Sequence, residues 1–428
     1  MKAARATQEA IDAVWRIESA KIVAGLARIV RDIGLAEELA QDALLAALEK
    51  WPGTGVPANP GAWLMAAGKY RALDELRRRK MLERKHEEYG HELVAQEAHV
   101  VNDSHDALDD DVGDDLLRLV FTACHPVLSP DARVALTLRL LCGLTTGEIA
   151  RAFLVPEPTI GQRVVRAKRT LSEARVPFEV PRAAELPARL GSVLEVIYLV
   201  FNEGYAATSG EDWMRPALCD EALRLGRVLA GLMPAEPEVH GLVALMEIQA
   251  SRTAARTDAQ GVPILLLAQN RARWDPLLIR RGLAALERAQ ALGGALGPYG
   301  LQGAIVACHA RARTAEVTDW PCIVALYDAL AQLTPSPVVE LNRAVAVSMA
   351  FGPAAALEMV DALGSTDALP GYHLLPAVRG DLLARLGRAD EAREAFEAAA
   401  ALTRNGRERA LLLERAAETN RQVSCAKS

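Results

Sequence analysis

Apolar positions recur three and four residues apart along almost the whole chain, and runs of period two are nearly absent. That periodicity predicts helices and very little sheet. Between residues 10 and 50, Ile22, Val23, Leu26, Ile29 and Val30 form the inner stripe of a first helix. A second, expected from Leu35 to Lys50, turns Leu39, Ala43, Leu44 and Leu48 inward and leaves Glu37, Glu38, Gln41, Asp42 and Glu49 outside. Trp51-Pro52-Gly53 is expected to stop it, with Pro57 and Pro60 prolonging a loop. A third helix is expected from about Pro60 to Arg84, with Trp63, Leu64, Ala67, Leu73 and Leu76 on its inner side.

Residues 86–115 lose the periodicity, and a second helical region then spans 115–171. Ser129-Pro130 opens a helix there, and Thr145 with Glu148 has the spacing of a capping box, in which each side chain bonds the other's backbone amide. Ile149 and Phe153 are expected to face inward. Pro156 and Pro158 sit where a helix start tolerates a missing N–H. In the helix that follows, Ile160, Val164, Ala167 and Leu171 share one stripe, with Thr159, Gln162, Arg163, Arg166 and Arg169 opposite. VPFEVP (176–181) is a Pro-bounded break and the expected domain boundary. Residues 185–428 are helical again, in a pattern that tends to repeat. Gly380, Leu383, Gly387, Ala392, Phe396 and Ala399 match the small and large packing positions of a tetratricopeptide repeat. Tyr327 with Pro335, and Ala356 with Val360, give looser copies upstream. The predicted fold is therefore all-α: a helical bundle over residues 1–85, a linker over 86–114, a helix-turn-helix unit over 115–175 and a helical-repeat extension over 185–428.

Composition agrees with that class and removes others. The 428 residues are half apolar and few are aromatic. No apolar run approaches the length of a membrane span, and the start, MKAARATQEAIDAVW, lacks an apolar signal core. A cytoplasmic protein that binds no membrane is the expectation. The six Cys form no CxxC pair, so reduced and mostly buried thiols are expected. Cys124 and His125 are neighbours, but without further ligands they predict no metal site. The net charge of −6 is unevenly placed. Residues 69–85 hold eight Lys/Arg against three acids, 163–169 add four cations and no acid, and 86–115 hold eleven Asp/Glu and no Lys or Arg. Separated blocks make local fields, which are what a polyanion feels within a Debye length. Self-repulsion in the acidic block predicts an extended tether.

Two of these blocks carry candidate chemistry. A helix pair joined by a tight turn, whose second member is apolar on one side and Gln/Arg on the other, fits a DNA major groove. Gln162, Arg163 and Arg166 can pair with base edges, while Lys168, Arg169 and Thr170 suit phosphates. Lys69, Arg71, Arg77, Arg78, Arg79 and Lys80 stand close to Trp63 and Tyr70. Cations beside flat rings suit a strand being opened, because unpaired bases stack while phosphates are held. For both, the competing reading is a solvated charged surface. No nucleophile elbow or phosphate loop is present, so neither an enzyme nor a cofactor is expected.

Three segments, DIGLAEELAQDALLAALEKWP, NPGAWLMAAGKYRALDELRRRK and LTTGEIARAFLVPEPTIGQRVVRAKRTL, resemble in order the core-binding, promoter-melting and −35-reading parts of sigma-70 family factors. The two-domain layout resembles the extracytoplasmic-function (ECF) group. VLEVIYLVFNEGYAATSG, RARWDPLLI and the late repeat are similar to the ECF subgroup with a long helical C-terminal extension. The resemblance implies that Glu38, Gln41 and Asp42 face the clamp helices of core RNA polymerase. It implies that the loop Gly55 to Asn59 holds an everted −10 base, and that Lys69, Arg71 and Arg77 to Arg79 grip the melting duplex. It gives −35 reading to Thr159, Gln162, Arg163 and Arg166, and a path through the polymerase channel to the acidic tether. The chain departs from the family in carrying Tyr70 where many members have a small polar residue, and Leu154-Val155 where the turn usually has Gly. Asn202, Glu203 and Tyr205 are expected either to sense a small ligand or protein or to staple the extension onto the DNA-reading domain. A stand-alone DNA-binding regulator with a helical sensor domain, and a repeat-built adaptor, are the alternatives from other classes.

Overall fold

A computed structural model describes residues 2–88, 108–366 and 368–426. Among them are eighteen α-helices and one two-residue strand pair, in two compact units, Met1–Ile197 and Tyr198–Ser428.

The first unit begins with α1 (Lys2–Val30), α2 (Ile33–Thr54) and α3 (Pro60–Glu88), which pack against one another. Asp32 starts α2 from extended backbone, accepting the Leu35 amide at 2.9 Å. Contrary to expectation, α2 does not stop at Trp51 but runs through Pro52 to Thr54. Proline in the last turn forfeits a single backbone bond, and the buried Trp51 ring, edge-on to Trp63 at 5.3 Å, holds that turn in place. Gly55, at φ 83°, then closes the helix with its N–H on Trp51 O. The inner seam of α3 also differs from the predicted stripe. Leu64, Gly68 and Ala72 are buried and Leu73 is exposed. The cause is close approach: a Cβ on Gly68 would lie 2.9 Å from Leu26 of α1, so small residues line the contact.

Next come α4 (Leu108–Ala123), α5 (Pro130–Leu140), α6 (Thr146–Phe153) and α7 (Glu157–Glu173). Residues 89–107, the middle of the expected tether, lie outside the described residues. Its two ends are helical rather than extended: α3 continues to Glu88, and 108–115 form the opening turns of α4. Acids at a helix N-terminus meet the positive end of the macrodipole, which offsets their repulsion. Asp115 is buried and bonded to Arg118 and to Arg28 of α1.

The break at 176–181 separates α7 from α8 (Leu186–Tyr205). The division between compact units, however, falls inside α8, between Ile197 and Tyr198. The first half of α8 is fastened to the first unit. Arg189 donates to Phe121 O at 2.8 Å, buried Arg133 reaches Ser192 and Glu195, and Ser192 donates to Cys124 O at 2.6 Å.

The second unit continues through α9 (Pro216–Leu232), α10 (Pro237–Ala250), α11 (Pro276–Ala291) and α12 (Pro298–Arg311). Then come α13 (Trp320–Leu333), α14 (Pro337–Phe351), α15 (Pro353–Ser365), α16 (Leu374–Arg385), α17 (Ala389–Leu402) and α18 (Gly406–Ala426). Helices α9 to α12, α14 and α15 each open on proline, whose fixed φ suits a first turn. From α12 to α18, consecutive helices pack in pairs. In the pair α16–α17 the buried ring of Phe396 lies over Gly380, where a Cβ would come within 2.9 Å of it, and Gly387 turns the chain at φ 76°. The strand β1 (Ser209–Gly210) pairs in parallel with β2 (Arg404–Asn405), clasping the junction of α17 and α18 to the segment after α8. No helix among the described residues is long and apolar enough to cross a membrane.

Candidate nucleic-acid interface

Helix α6 is built as its sequence predicts: Thr145 caps the Glu148 amide at 3.1 Å, and Glu148 returns to the Thr145 amide at 2.8 Å. It ends at Leu154, which takes the left-handed conformation (φ 52°) that glycine usually fills. Ile160, Val164, Ala167 and Leu171 of α7 are all buried, while Phe153 is half-buried. On the other side of α7, Gln162 and Arg166 are exposed and Thr159 is half-buried. Arg163 faces Asp131 at 3.1 Å, and Arg169 bonds Glu173 one turn on at 2.6 Å. Lys168 sits apart from these, bound to Glu37 of α2.

On α3, Lys69, Arg77 and Arg78 are exposed, and so is the ring of Tyr70. Arg79 bonds Glu75 at 3.2 Å. Asn59 is exposed but caps α3, accepting the Ala62 amide at 3.0 Å. Arg71 does not stand alone: it meets Asp42 of α2 at 2.8 Å. One ion pair therefore joins a residue expected at polymerase to one expected at DNA. Glu38 is exposed, and Leu45 presents an apolar side chain two turns further along α2. Gln41 donates to Glu37 at 2.6 Å.

Glu37, expected outside, is buried. Its carboxylate takes Nε of Arg139 (α5) at 2.6 Å and the Lys168 ammonium of α7. Burial pushes this carboxyl up, but Lys168 and Arg139 overcome that and hold it below its ordinary value. Periodicity classes Glu37 as outward because its charge predicts solvent, and nothing local in the sequence pairs it with cations a hundred positions away. The same seam contains Arg16 on Glu148 at 3.1 Å and Arg28 on Asp115 at 3.1 Å. It also contains Gly143 (φ 65°), where a Cβ would lie 2.7 Å from Ser19 Oγ. Beside it opens a cavity of about 730 Å³, whose rim includes Arg31 and Arg175, both in the left-handed conformation. The helix-turn-helix is thus docked on the α1–α3 bundle through charge pairs.

In the extension, Asn202 is exposed, whereas Glu203 and Tyr205 are locked in a polar core. Glu203 binds Arg215 and, at 2.9 Å, the Thr208 hydroxyl. The Tyr205 hydroxyl accepts from Arg252 at 2.6 Å, and the Arg256 guanidinium lies 3.5 Å from the centre of its ring. Burial pushes Arg256 below the usual arginine range. Asn405 donates to Ala207 O at 3.1 Å and Asp212 O at 2.8 Å, joining the NEGYAATSG segment to the junction of α17 and α18. Arg271 holds the backbone oxygens of His309 and Ala312, and stacks over Trp274 at 4.9 Å.

Among the described residues, no group of three or more His, Cys, Asp or Glu is placed to hold a metal. Cys124 is buried against Thr137, and burial pushes its thiol up to about 11. Burial and Arg189 push His125 down to about 4.

Comparison with known families divides the chain in the same order as its surfaces. Residues 18–81 match Sigma-70 region 2, 118–171 match Sigma-70, region 4, and 189–290 match a family of unknown function, DUF6596. The uncharacterized protein R00370 of Rhizobium meliloti (strain 1021) is 46% identical over 389 residues, which is 90% of this chain and 90% of that protein.

Proposed function

We propose a division of labour for this chain, which belongs to the sigma-70 family and is a promoter-recognition factor, not an enzyme. In this reading it is an ECF-type factor acting in the cytoplasm. Glu38, Gln41 and Asp42, with the exposed Leu45 beside them, dock on core RNA polymerase. The 55–59 loop ending at Asn59 takes a −10 base, and Lys69, Arg71, Arg77, Arg78 and Arg79 hold the opening duplex, with Tyr70 available to stack. Thr159, Gln162, Arg163 and Arg166 read the −35 element, and Lys168 and Arg169 hold its phosphates. The acidic segment follows the polymerase channel. The work is done by binding energy: phosphate contacts make it salt-dependent, and once one module docks, the tether makes the other's search local. The extension, built of tetratricopeptide-like helix pairs, regulates this in cis through the core around Glu203 and Tyr205.

The observation that carries the proposal is α7 itself, with Gln162 and Arg166 exposed directly opposite a fully buried apolar stripe, inside the segment matching sigma region 4. The Glu37 pairs support a resting state in which the two DNA-facing modules are closed on each other. Promoter elements lie apart on a duplex, so engagement requires that seam to open. The test is run-off transcription from a pool of upstream fragments, with core polymerase and the full chain. A discrete set of transcripts that depends on the chain is expected; transcription indifferent to the chain would refute the proposal. For cis regulation, Asn405→Ala should change transcript yield while core-enzyme binding stays intact, and an unchanged yield would count against it.

A further inference from the structure

The sulfurs of Cys308 and Cys322 stand 3.9 Å apart in the second unit, fourteen residues apart in sequence. Cys308 lies in the last turn of α12 and Cys322 in the first turn of α13. Neither is deep in the core: Cys308 is half-buried and Cys322 is exposed. Both line a cavity of about 480 Å³ that opens on Arg311, Arg313, Thr314 and Asp319. Cys124, Cys142 and Cys219 are buried instead. A disulfide needs its sulfurs at about 2.05 Å, so side-chain rotation must bring this pair roughly 2 Å closer. The Asp319 side chain caps α13 through the Cys322 amide at 3.0 Å, which leaves the Cys322 sulfur uninvolved in holding the helix start.

We infer that Cys308 and Cys322 form a peroxide-oxidisable dithiol, a modification site in the extension that closes to a disulfide bridging α12 and α13. The accessible sulfur, Cys322, attacks hydrogen peroxide. The O–O bond breaks, Cys322 becomes a sulfenic acid and one water leaves. The Cys308 sulfur then attacks Cys322 Sγ, an S–S bond forms, the S–O bond breaks, and the hydroxyl departs as a second water with the Cys308 proton. Two thiols and one peroxide give one disulfide and two waters, and the two electrons that reduce the peroxide come from the two sulfurs. Burial and the neighbouring Cys322 push the Cys308 thiol up to about 12, so Cys308 stays protonated while the exposed Cys322 takes the first step, and it must give up that proton to the departing hydroxyl in the second. The bridge would close the 312–319 loop, whose Ala312 carbonyl and Thr318 hydroxyl hold Arg271 on its ring partner Trp274. Oxidation thereby reaches the polar core of the extension through a short covalent staple.

The test treats the reduced full-length chain with hydrogen peroxide and reads intact mass and a non-reducing peptide map. The wild-type chain should lose about 2 Da, link the peptides containing Cys308 and Cys322, and regain its mass with a thiol reductant. With Cys308→Ser, a 1,3-diketone probe should trap sulfenic acid on Cys322. With Cys322→Ser, Cys308 should remain a thiol. Peroxide that leaves the wild-type pair as thiols, drives Cys322 to sulfinic acid without a link, or joins other cysteines overturns the inference. The wild-type map needs no variant, so its outcome stands whether or not either substituted chain folds.

Discussion

At the scale of single residues, two buried titratable groups contribute to the pH response. Glu37 is held below its ordinary carboxyl value of 4.5 by Lys168 and Arg139 against the opposing effect of burial. A lowered acid contributes stability above its unfolded value and loses it as pH falls through the folded one. Glu37→Gln keeps the shape and removes the charge, stranding two cations in a half-buried seam. It should cost about 1–3 kcal/mol in denaturant unfolding of the first unit, and an unchanged midpoint would show the seam to be loosely coupled. His309 works from the other side. Burial, then Arg252 and Arg271, push it from 6.5 down to about 4. The unfolded chain takes that proton first, so stability should fall as pH drops from 6.5 towards 4 and level off below. His309→Phe keeps the edge-on contact with Trp320 and should reduce that slope in melting curves recorded across this range, leaving the part that His125, also pushed down to about 4, contributes. An identical slope in the variant would assign it to other groups.

At the scale of elements, local chemistry is legible where a rule is local. The α6 capping box, the Ser129 cap of α5 and the buried stripe of α7 follow from spacing alone. Close approach is not legible. The seam of α3 shifts to Gly68 and Ala72 because Leu26 presses on it, and α2 passes Pro52 because Trp51 is anchored by Trp63. The unit boundary moves into α8 for a similar reason: an uninterrupted helix carries Arg189 and Ser192 into one core and Tyr205 into another. Two substitutions test this layer. Leu154→Gly should be neutral or stabilising by about 1 kcal/mol, since Leu154 is 54% exposed and its backbone is left-handed. Gly380→Ala should destabilise the second unit by about 1–3 kcal/mol, because the added carbon meets a buried Phe396 ring. Thermal or denaturant midpoints decide both. A destabilised Leu154→Gly would mean that the turn is not strained, and an indifferent Gly380→Ala that the Phe396 ring has room to move.

At the scale of the whole molecule, the sequence exposes the parts and hides their pairing. Charge blocks and a Gln/Arg helix side mark Gln162, Arg166, Lys69 and Arg77 as surface cations and donors, and each is exposed. What periodicity cannot supply is that Lys168 closes on Glu37 and Arg71 on Asp42, because those partners come from helices brought together only by folding. The residues proposed to read promoter bases and those proposed to bind polymerase should also separate in experiment. Arg163→Ala with Arg166→Ala should abolish promoter selectivity while core-polymerase binding persists. Loss of both together would contradict the division between α7 and α2. The most direct measurement is association of the purified full-length chain with core RNA polymerase, by co-sedimentation at moderate salt, followed by transcription from the captured complex. Stoichiometric binding that confers initiation at discrete start sites is predicted; a chain that never enters the polymerase fraction, even with Gln162 and Arg166 correctly displayed, would contradict a role in delivering polymerase to promoters.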